Sequence, residues 1–303
     1  MNTLALLSLV LAIVSGLAQR STAANITRQL PGAIIIGSKK CGTRALLKFI
    51  GAHPNVSAAG AEIHYFDRFY HMGDEWYRQQ MPLSAAHQLT IEKTPKYLID
   101  SRAPERVYRM NPHTKLIVVL RNPVVRAVSE YVQSQWKKKQ KRTLLQDSTG
   151  ESQRFEQMLY EDKKRGSNSS SARSHIRANW AIVRNGLYYQ HIRNWLEYFP
   201  REQILFINGE QLIREPSVEV DKLQEFLGLT PVIRKEHFVH NRRKGFACII
   251  KPIDSKQVKC LSDQKGRKHP VIETAILSDL RDFYRASNLK LFSLIKEKPW
   301  WPV

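Results

Sequence analysis

The sequence predicts an α/β fold, in which a central, mostly parallel sheet is flanked by helices within a single domain. Three runs that are apolar except for Lys115, at 33–36, 115–120 and 204–207, have the composition of buried parallel strands. Apolar residues at helical spacing follow each run. The chain of 303 residues is long enough to bury a large core. It contains no internal repeat and no linker that would divide it into two domains.

A basic loop bounded by glycines follows the first strand. Gly37 ends the apolar run, Gly42 closes a loop that carries Lys39 and Lys40, and helical spacing begins at Thr43. Free backbone N–H groups and a helix N-terminus then meet, which predicts phosphate binding. The pattern of ATP-binding loops would need lysine at position 43 and an Mg²⁺-binding hydroxyl at position 44, and both are absent. Fixed cations suit transfer without metal; the alternative is an ordinary solvated basic turn.

Charge and the first residues indicate the partner and the compartment. Lys and Arg number 48 against 27 Asp and Glu, a net charge of +21, which implies nucleic acid, an anionic membrane or an acidic polysaccharide as partner. Residues 1–24 resemble a secretory signal peptide or short signal anchor, and their apolar part is shorter than the roughly 20 residues that span a bilayer. A domain over 25–303 in the secretory pathway favours an acidic glycan over nucleic acid and makes three sequons usable: Asn25, Asn55 and Asn168.

The three cysteines are consistent with the secretory pathway. Cys248 and Cys260 lie close together in the sequence and could staple a hairpin, which leaves Cys41 as a free thiol inside the basic loop. Three reduced cysteines would be expected instead if the N-terminal segment were not a secretory signal.

A short segment from Gly60 to Asp67 carries the first candidate catalytic pair. We predict a strand here, whose alternation would place Glu62 and His64 on one face together with Phe66. A carboxylate and an imidazole at this spacing can serve as a base and its orienting partner. The alternative is a surface strand with incidental charges.

Two further strands end in polar residues that can bind anions. The run at 89–91 leads into a turn that carries Lys93, and the run at 115–120 ends at Arg121. Ser129 lies about two turns into the helix that follows. An arginine at a strand end and a serine on the next helix can grip one phosphate together. The alternative is an arginine that only caps the end of its strand.

The remaining segments add helices and a basic surface. The run WKKKQKR at 136–142 is either a solvated helix face or a glycan contact, and a serine-rich stretch at 166–174 is predicted to be a loop. Helical spacing returns over 180–196, 218–227 and 271–295.

Together these segments resemble the heparan sulfate glucosamine 3-O-sulfotransferases. The matching pieces occur in the family's order and cover nearly everything from about residue 31 onward. They are IIIGSKKCGTRALL, EIHYFD, LTIEKTPKY, LRNPVVRAVSEY, NWLEYFP, the hairpin with two cysteines, and KGRKHP.

The resemblance implies a P-loop-like sulfotransferase fold and an enzyme that uses 3′-phosphoadenosine 5′-phosphosulfate (PAPS), releases PAP and needs no metal. Residues of the basic loop would hold the 5′-phosphosulfate, and these are Lys40, Gly42, Thr43 and Arg44. Arg121 and Ser129 would hold the 3′-phosphate. A later loop would close over the donor with Lys265, Gly266, Arg267 and His269.

For the acceptor, the resemblance implies heparan sulfate or heparin in the Golgi lumen. Glu62 would be the catalytic base, supported by His64 and Asp67, while Lys40 and Lys93 neutralise charge. The same acidic and histidine residues would line the glycan cleft together with Lys93, Gln133, Trp180 and Lys244. Cys248 and Cys260 would be disulfide-bonded. Two departures from the family are Cys41, which stands where glycine is usual and would crowd the loop, and Tyr65, which replaces the commoner phenylalanine.

Three other functions remain open. Another lumenal glycosaminoglycan sulfotransferase, acting at an N- or 6-O-position or on chondroitin, would share the donor site and differ in its acceptor elements. A catalytically silent heparin-binding protein would not need Glu62, Lys40 and Lys93 together. A P-loop kinase fits least, because the Walker lysine and the Mg²⁺ hydroxyl are missing.

Overall fold

A five-stranded parallel sheet forms the centre of the computed structural model, which describes residues 26–144, 154–160, 175–242, 245–262 and 266–303. Its strands, in spatial order, are β3 (Val56–Ala58), β5 (Leu89–Lys93), β2 (Ala33–Gly37), β6 (Lys115–Leu120) and β7 (Ile204–Asn208). All five residues of β2 are buried, as the apolar run predicts for a strand covered on both faces. The predicted α/β fold with a mostly parallel sheet is confirmed.

Two smaller sheets lie outside the central one. Strands β1 (Thr27–Arg28) and β4 (Leu83–Ser84) pair with each other, and β8 (Phe238–Asn241), β9 (Phe246–Ile250) and β10 (Val258–Lys259) form an antiparallel sheet. A disulfide joins Cys248 in β9 to Cys260 just after β10, which confirms the predicted hairpin staple.

Helices cover the sheet and complete the core. They are α1 (Thr43–Ile50), α2 (Gly73–Gln79), α3 (Ala103–Met110), α4 (Pro123–Leu144), α5 (Phe155–Leu159), α6 (Ala181–Arg184), α7 (Tyr188–Leu196), α8 (Gly209–Arg214), α9 (Pro216–Leu227) and α10 (Thr274–Ile295). In the described part of the chain, no helix combines the length and apolar character that a bilayer crossing requires.

The predicted helix over 180–196 is divided in two. The break between α6 and α7 falls at Gly186, where an added Cβ would lie 2.7 Å from the hydroxyl oxygen of Tyr284. That hydroxyl donates a hydrogen bond to the carbonyl oxygen of Val183, at 2.7 Å. The terminal helix therefore packs closely against the turn between α6 and α7.

The segment from Gly60 to Asp67 is not a strand, so the predicted alternation is wrong. Residues 60–64 form no regular element, His64 has a φ of 58°, and a π-helical turn follows over Tyr65–Phe69. Tyr65 and Phe66 are 1% and 0% exposed. A strand would point adjacent side chains to opposite faces, whereas the helical turn buries both of these rings in one core.

Candidate functional site

The loop after β2 is shaped to hold an anion. Lys40 and Gly42 both have positive φ, of 76° and 105°, a backbone conformation that glycine adopts readily and other residues rarely. Gly42 stands at the N-cap of α1 and makes no side-chain cap hydrogen bond to the N–H groups at the start of this helix. Such N–H groups and the positive end of the helix dipole favour a phosphate-like ligand.

The two lysines of the loop differ in their surroundings. Lys39 Nζ donates to Glu130 Oε1 on α4, at 2.6 Å, and Glu130 is also bound by the buried guanidinium of Arg126. Burial opposes ionisation of Glu130, but these two cations outweigh it and hold its pKa below the ordinary value. The network anchors the loop to α4, while Lys40 lines the open cavity in front of it.

The free thiol of the loop is directed into the core. Cys41 is buried, and its Sγ lies 3.5 Å from the hydroxyl oxygen of Tyr188 on α7. Burial raises the pKa of the thiol to about 11. Because the thiolate is the reactive form of cysteine, this environment makes the thiol less reactive than an exposed one.

A cavity of about 570 Å³ opens where β2, β5 and β6 end. Most of the described residues that we predict for the site line it, namely Lys40, Gly42, Thr43, Arg44, Glu62, His64, Lys93, Arg121, Ser129, Gln133, Gly266, Arg267 and His269. Further lysines and arginines join them: Lys39, Arg68, Lys96 and Lys137. Among the described lining residues, Glu62 is the one carboxylate, and the cations outnumber it. The cavity therefore suits an anionic ligand, with Glu62 as its single candidate base.

Glu62 sits in a chain of charged groups. The buried ammonium of Lys93 donates to Glu62 Oε1, and His64 Nε2 lies 3.7 Å from Glu62 Oε2. On the other ring nitrogen, His64 Nδ1 lies 3.0 and 3.1 Å from the two oxygens of Asp67. A carboxylate can only accept, so Asp67 holds the Nδ1–H tautomer and turns Nε2 toward Glu62.

The exposure of these groups differs in a way that suits proton transfer. The Asp67 side chain is fully buried, whereas that of Glu62 is 43% exposed. Burial lowers the pKa of Lys93, and the adjacent Glu62 opposes that shift. Glu62 therefore faces the cavity as a carboxylate with a cation on one side and an oriented imidazole on the other.

Arg121, at the end of β6, has a partner that the sequence did not indicate. Its Nε lies 3.3 Å from Glu210 Oε1 on α8, and the same oxygen accepts from the backbone N–H of Asn122. Burial raises the pKa of Glu210, and Arg121 opposes the shift. The arginine is thus held in place while it lines the cavity with Ser129 from α4.

Residues 266–269, which follow the antiparallel sheet in the chain, contribute Gly266, Arg267 and His269 to the lining of the cavity. The guanidinium carbon of Arg267 lies 4.3 Å from the ring centroid of Trp136 on α4, a cation–π contact. Burial and the charges of Arg121 and Lys40 lower the pKa of His269, so this imidazole lies near both cations.

Other residues predicted for the site are placed elsewhere or lie outside the described residues. Trp180 packs against Phe155, with ring centroids 5.7 Å apart, in the smaller core cluster beside α4. Asp67 contacts His64 and does not itself line the cavity. Asn55 is half-buried between α1 and β3. Outside the described residues lie Lys244, Lys265, Asn25, Asn168, residues 1–24 and the whole serine-rich stretch at 166–174.

Three comparisons place the chain among known proteins. The family model described as a sulfotransferase domain matches residues 30–293. The chain is 42% identical over 275 residues to mouse heparan sulfate glucosamine 3-O-sulfotransferase 3B1 and 41% identical over 274 residues to mouse heparan sulfate glucosamine 3-O-sulfotransferase 6. These alignments cover 91% and 90% of this chain, and 66% and 74% of the relatives, so the chain spans slightly less than two thirds of the 3B1 protein.

The fold has a counterpart among solved structures. The crystal structure of a sulfotransferase from Alicyclobacillus acidocaldarius matches with a TM-score of 0.62 and 22% sequence identity, over 89% of this chain and 98% of that one. At this identity the likeness concerns the fold.

Proposed function

This chain belongs to the heparan sulfate glucosamine 3-O-sulfotransferases within the sulfotransferase domain family, and from that premise we propose that it transfers a sulfuryl group from PAPS to the 3-hydroxyl of glucosamine residues in heparan sulfate. The observation that carries the proposal is the Glu62–Lys93 pair, which lies at the edge of an otherwise cationic cavity beside the phosphate loop. A base next to an anion site is what transfer to a hydroxyl requires.

The cavity fits a nucleotide with anionic groups at two positions. The loop after β2 and Arg121 after β6 follow neighbouring strands, so both face the same space. Lys40, Thr43 and Arg44 would hold the 5′-phosphosulfate, and Arg121 with Ser129 the 3′-phosphate. Apolar side chains of the lining, including Ile213 and Phe246, offer surface to the nucleoside. The volume lies within the range of ordinary ligand pockets.

The acceptor side fits a sulfated polysaccharide. Arg68, Lys96 and Lys137 are exposed at the cavity, and Gln133 lies on the same helix as Lys137. Exposed cations attract an anionic chain from solution. The partners proposed are therefore heparan sulfate or heparin, met in the Golgi lumen after entry through residues 1–24, with glycan attachment at Asn25, Asn55 and Asn168.

The chain's own residues divide the work of the reaction. Bound PAPS supplies the sulfuryl group. Glu62 accepts the proton of the sugar 3-hydroxyl, while Asp67 accepts from the Nδ1–H of His64 and fixes the imidazole beside Glu62. The ammonium groups of Lys40 and Lys93 neutralise the negative charge that moves to the leaving phosphate, without reorganisation at the moment of transfer. General-base help of this kind is worth about 10²–10⁴-fold in rate.

The test is sulfate transfer by the purified protein. Heparan sulfate is incubated with the protein and PAPS carrying radiolabelled sulfate, and the labelled disaccharides are then identified. Label at the glucosamine 3-O-position is the expected result. Label at the N- or 6-O-position would reassign the acceptor site. Heparin binding with neither transfer nor affinity for PAP would indicate a catalytically silent heparin-binding protein.

A further inference from the structure

The hydroxyl of Thr94 connects the end of β5 to the segment that carries the proposed base. Its Oγ1 accepts hydrogen bonds from the backbone N–H groups of Ile63, at 3.1 Å, and His64, at 3.4 Å. The same hydroxyl donates to Glu92 Oε1, at 2.6 Å. Thr94 is fully buried, so this bridge is shielded from water.

A second hydroxyl repeats the arrangement one residue further along. The backbone N–H of Tyr65 donates to the hydroxyl oxygen of Tyr97, at 2.8 Å, and that hydroxyl donates to Glu92 Oε1, at 3.2 Å. Three consecutive backbone N–H groups, from Ile63 to Tyr65, are therefore held by two hydroxyls that both converge on one carboxyl oxygen.

Glu92 gives these hydroxyls their direction. A hydroxyl has one hydrogen to donate, and once it is donated to Oε1 the oxygen lone pairs face the N–H groups of residues 63–65. The carboxyl group of Glu92 is fully buried, and among the described residues its Oε2 has no hydrogen-bond partner. Burial of a carboxyl group is costly, and the groups that offset this cost for Glu92 are the two hydroxyls, the adjacent charge of Lys93 and the backbone N–H of Ile63.

Residues 60–64 depend on these hydrogen bonds because they lack regular secondary structure. Residues 60–64 belong to no helix or strand, so no regular backbone ladder satisfies their N–H groups, and His64 adopts a positive φ that non-glycine residues rarely take. Strained backbone of this kind persists where the surrounding structure determines it. The segment also sets where Glu62 and His64 face the cavity.

We propose that Glu92, Thr94 and Tyr97 are positioning residues for sulfuryl transfer: through the backbone of residues 63–65 they hold Glu62 and His64 in the geometry that the reaction needs. The inference rests on the proposed function for its kinetic consequence. None of the three side chains touches substrate in this role, and Lys93, between Glu92 and Thr94, forms the direct contact with Glu62.

The test compares two threonines on the same strand segment. Thr94→Val removes the bridging hydroxyl and keeps the shape of the side chain, while Thr94→Ser keeps the hydroxyl. Thr90→Val is the matched control, because Thr90 is also buried and its hydroxyl bonds to Ser84, at 3.1 Å, away from the Glu62 segment. Each variant is measured for kcat, for the KM of PAPS, for PAP affinity by calorimetry and for amide hydrogen exchange of the peptide 60–69.

We expect Thr94→Val to lower kcat about tenfold or more, to leave the KM of PAPS and the affinity for PAP unchanged, and to speed exchange at residues 63–65. Thr94→Ser should have the kcat and the exchange rate of the wild type. Thr90→Val should change neither kcat nor the exchange rate at residues 63–65. The inference is overturned if Thr94→Val has the hydrogen exchange and the kcat of the wild type. It is also overturned if Thr90→Val lowers kcat as much as Thr94→Val does. If the wild-type protein transfers no sulfate, the proposed function fails, and the exchange comparison still decides whether Thr94 holds the segment.

Discussion

Substitution of Glu62 by glutamine separates binding from chemistry in this site. Glutamine keeps the length of the side chain and an oxygen that can accept from Lys93 Nζ, but it removes the charge and the basic oxygen. Loss of a general base lowers turnover by about 10²–10⁴-fold, which is ~2.7–5.5 kcal/mol of barrier. The groups proposed to bind the donor, Lys40 and Arg121, line the cavity from other elements, so PAP affinity should remain as in the wild type.

The buried lysine beside Glu62 adds a second consequence. Burial already lowers the pKa of Lys93, and Glu62 is the main group that opposes the shift. With a neutral partner, Lys93 loses its proton at lower pH. The residual turnover of Glu62→Gln should therefore fall as pH rises, because the cation that neutralises moving charge is lost.

The assay follows radiolabelled sulfate from PAPS to heparan sulfate across pH, with PAP binding measured by calorimetry on the same preparations. Glu197→Gln is the control, since Glu197 is exposed at the end of α7, away from the cavity. Turnover of Glu62→Gln above a tenth of the wild-type rate, or a loss of PAP affinity, would remove Glu62 from the role of base.

Three further outcomes follow from the contacts described. Arg121→Ala should weaken PAP binding about 10- to 150-fold, the value of a charge-assisted hydrogen bond, and leave ADP binding unchanged in calorimetry; an equal loss for both nucleotides would refute the 3′-phosphate assignment. The double variant Cys248→Ser, Cys260→Ser should lower the free energy of unfolding by about 3 kcal/mol, measured in urea, because the disulfide closes a loop between residues 12 apart. An unchanged midpoint of urea unfolding contradicts this. Burial raises the pKa of Glu92 from 4.5 to about 7. The protonated Glu92 therefore supports the folded state below pH 4.5, and the free energy of unfolding falls by about 3 kcal/mol as pH rises through about 7. Urea unfolding at pH 5 and pH 8 should show a smaller loss in Glu92→Gln than in the wild type, and equal losses would exclude Glu92 as the source.

The strands of the sheet were largely predictable from the sequence. The runs at 33–36, 89–91, 115–120 and 204–207 all lie in the central sheet, because strands that are buried on both faces are rich in apolar residues. Strand β3 was missed since its three residues are too short to show a period. The order of strands depends on how helices pack across the sheet, and no local pattern records that.

Segments governed by tertiary contacts were harder to predict. The run from Gly60 to Asp67 alternates like a strand, yet two adjacent aromatic rings require burial on the same side, and the chain turns helically to achieve it. The helix break at Gly186 depends on Tyr284, almost a hundred residues away. Periodicity within a window cannot register either contact.

For the site, residue types were predictable and pairings were not. The basic loop, the strand-end Arg121 and the Glu62–His64 spacing mark an anion site with a base nearby. The contact of Lys93 with Glu62 joins residues 31 apart, and that of Lys39 with Glu130 joins residues 91 apart. Such pairs become visible only when parallel strands bring their carboxyl ends together.

The position of β2 in the middle of the sheet bears on how such enzymes can diverge. Ile35 in β2 pairs with Lys93 on one side and Ile117 on the other, so the residues proposed to meet nucleotide and sugar follow strands that are hydrogen-bonded to each other. The exposed cations Arg68, Lys96 and Lys137 stand outside those strands. Under the proposed function, substitutions at these cations would change which stretch of polysaccharide binds and would leave the spacing of Glu62 and Lys93 unchanged.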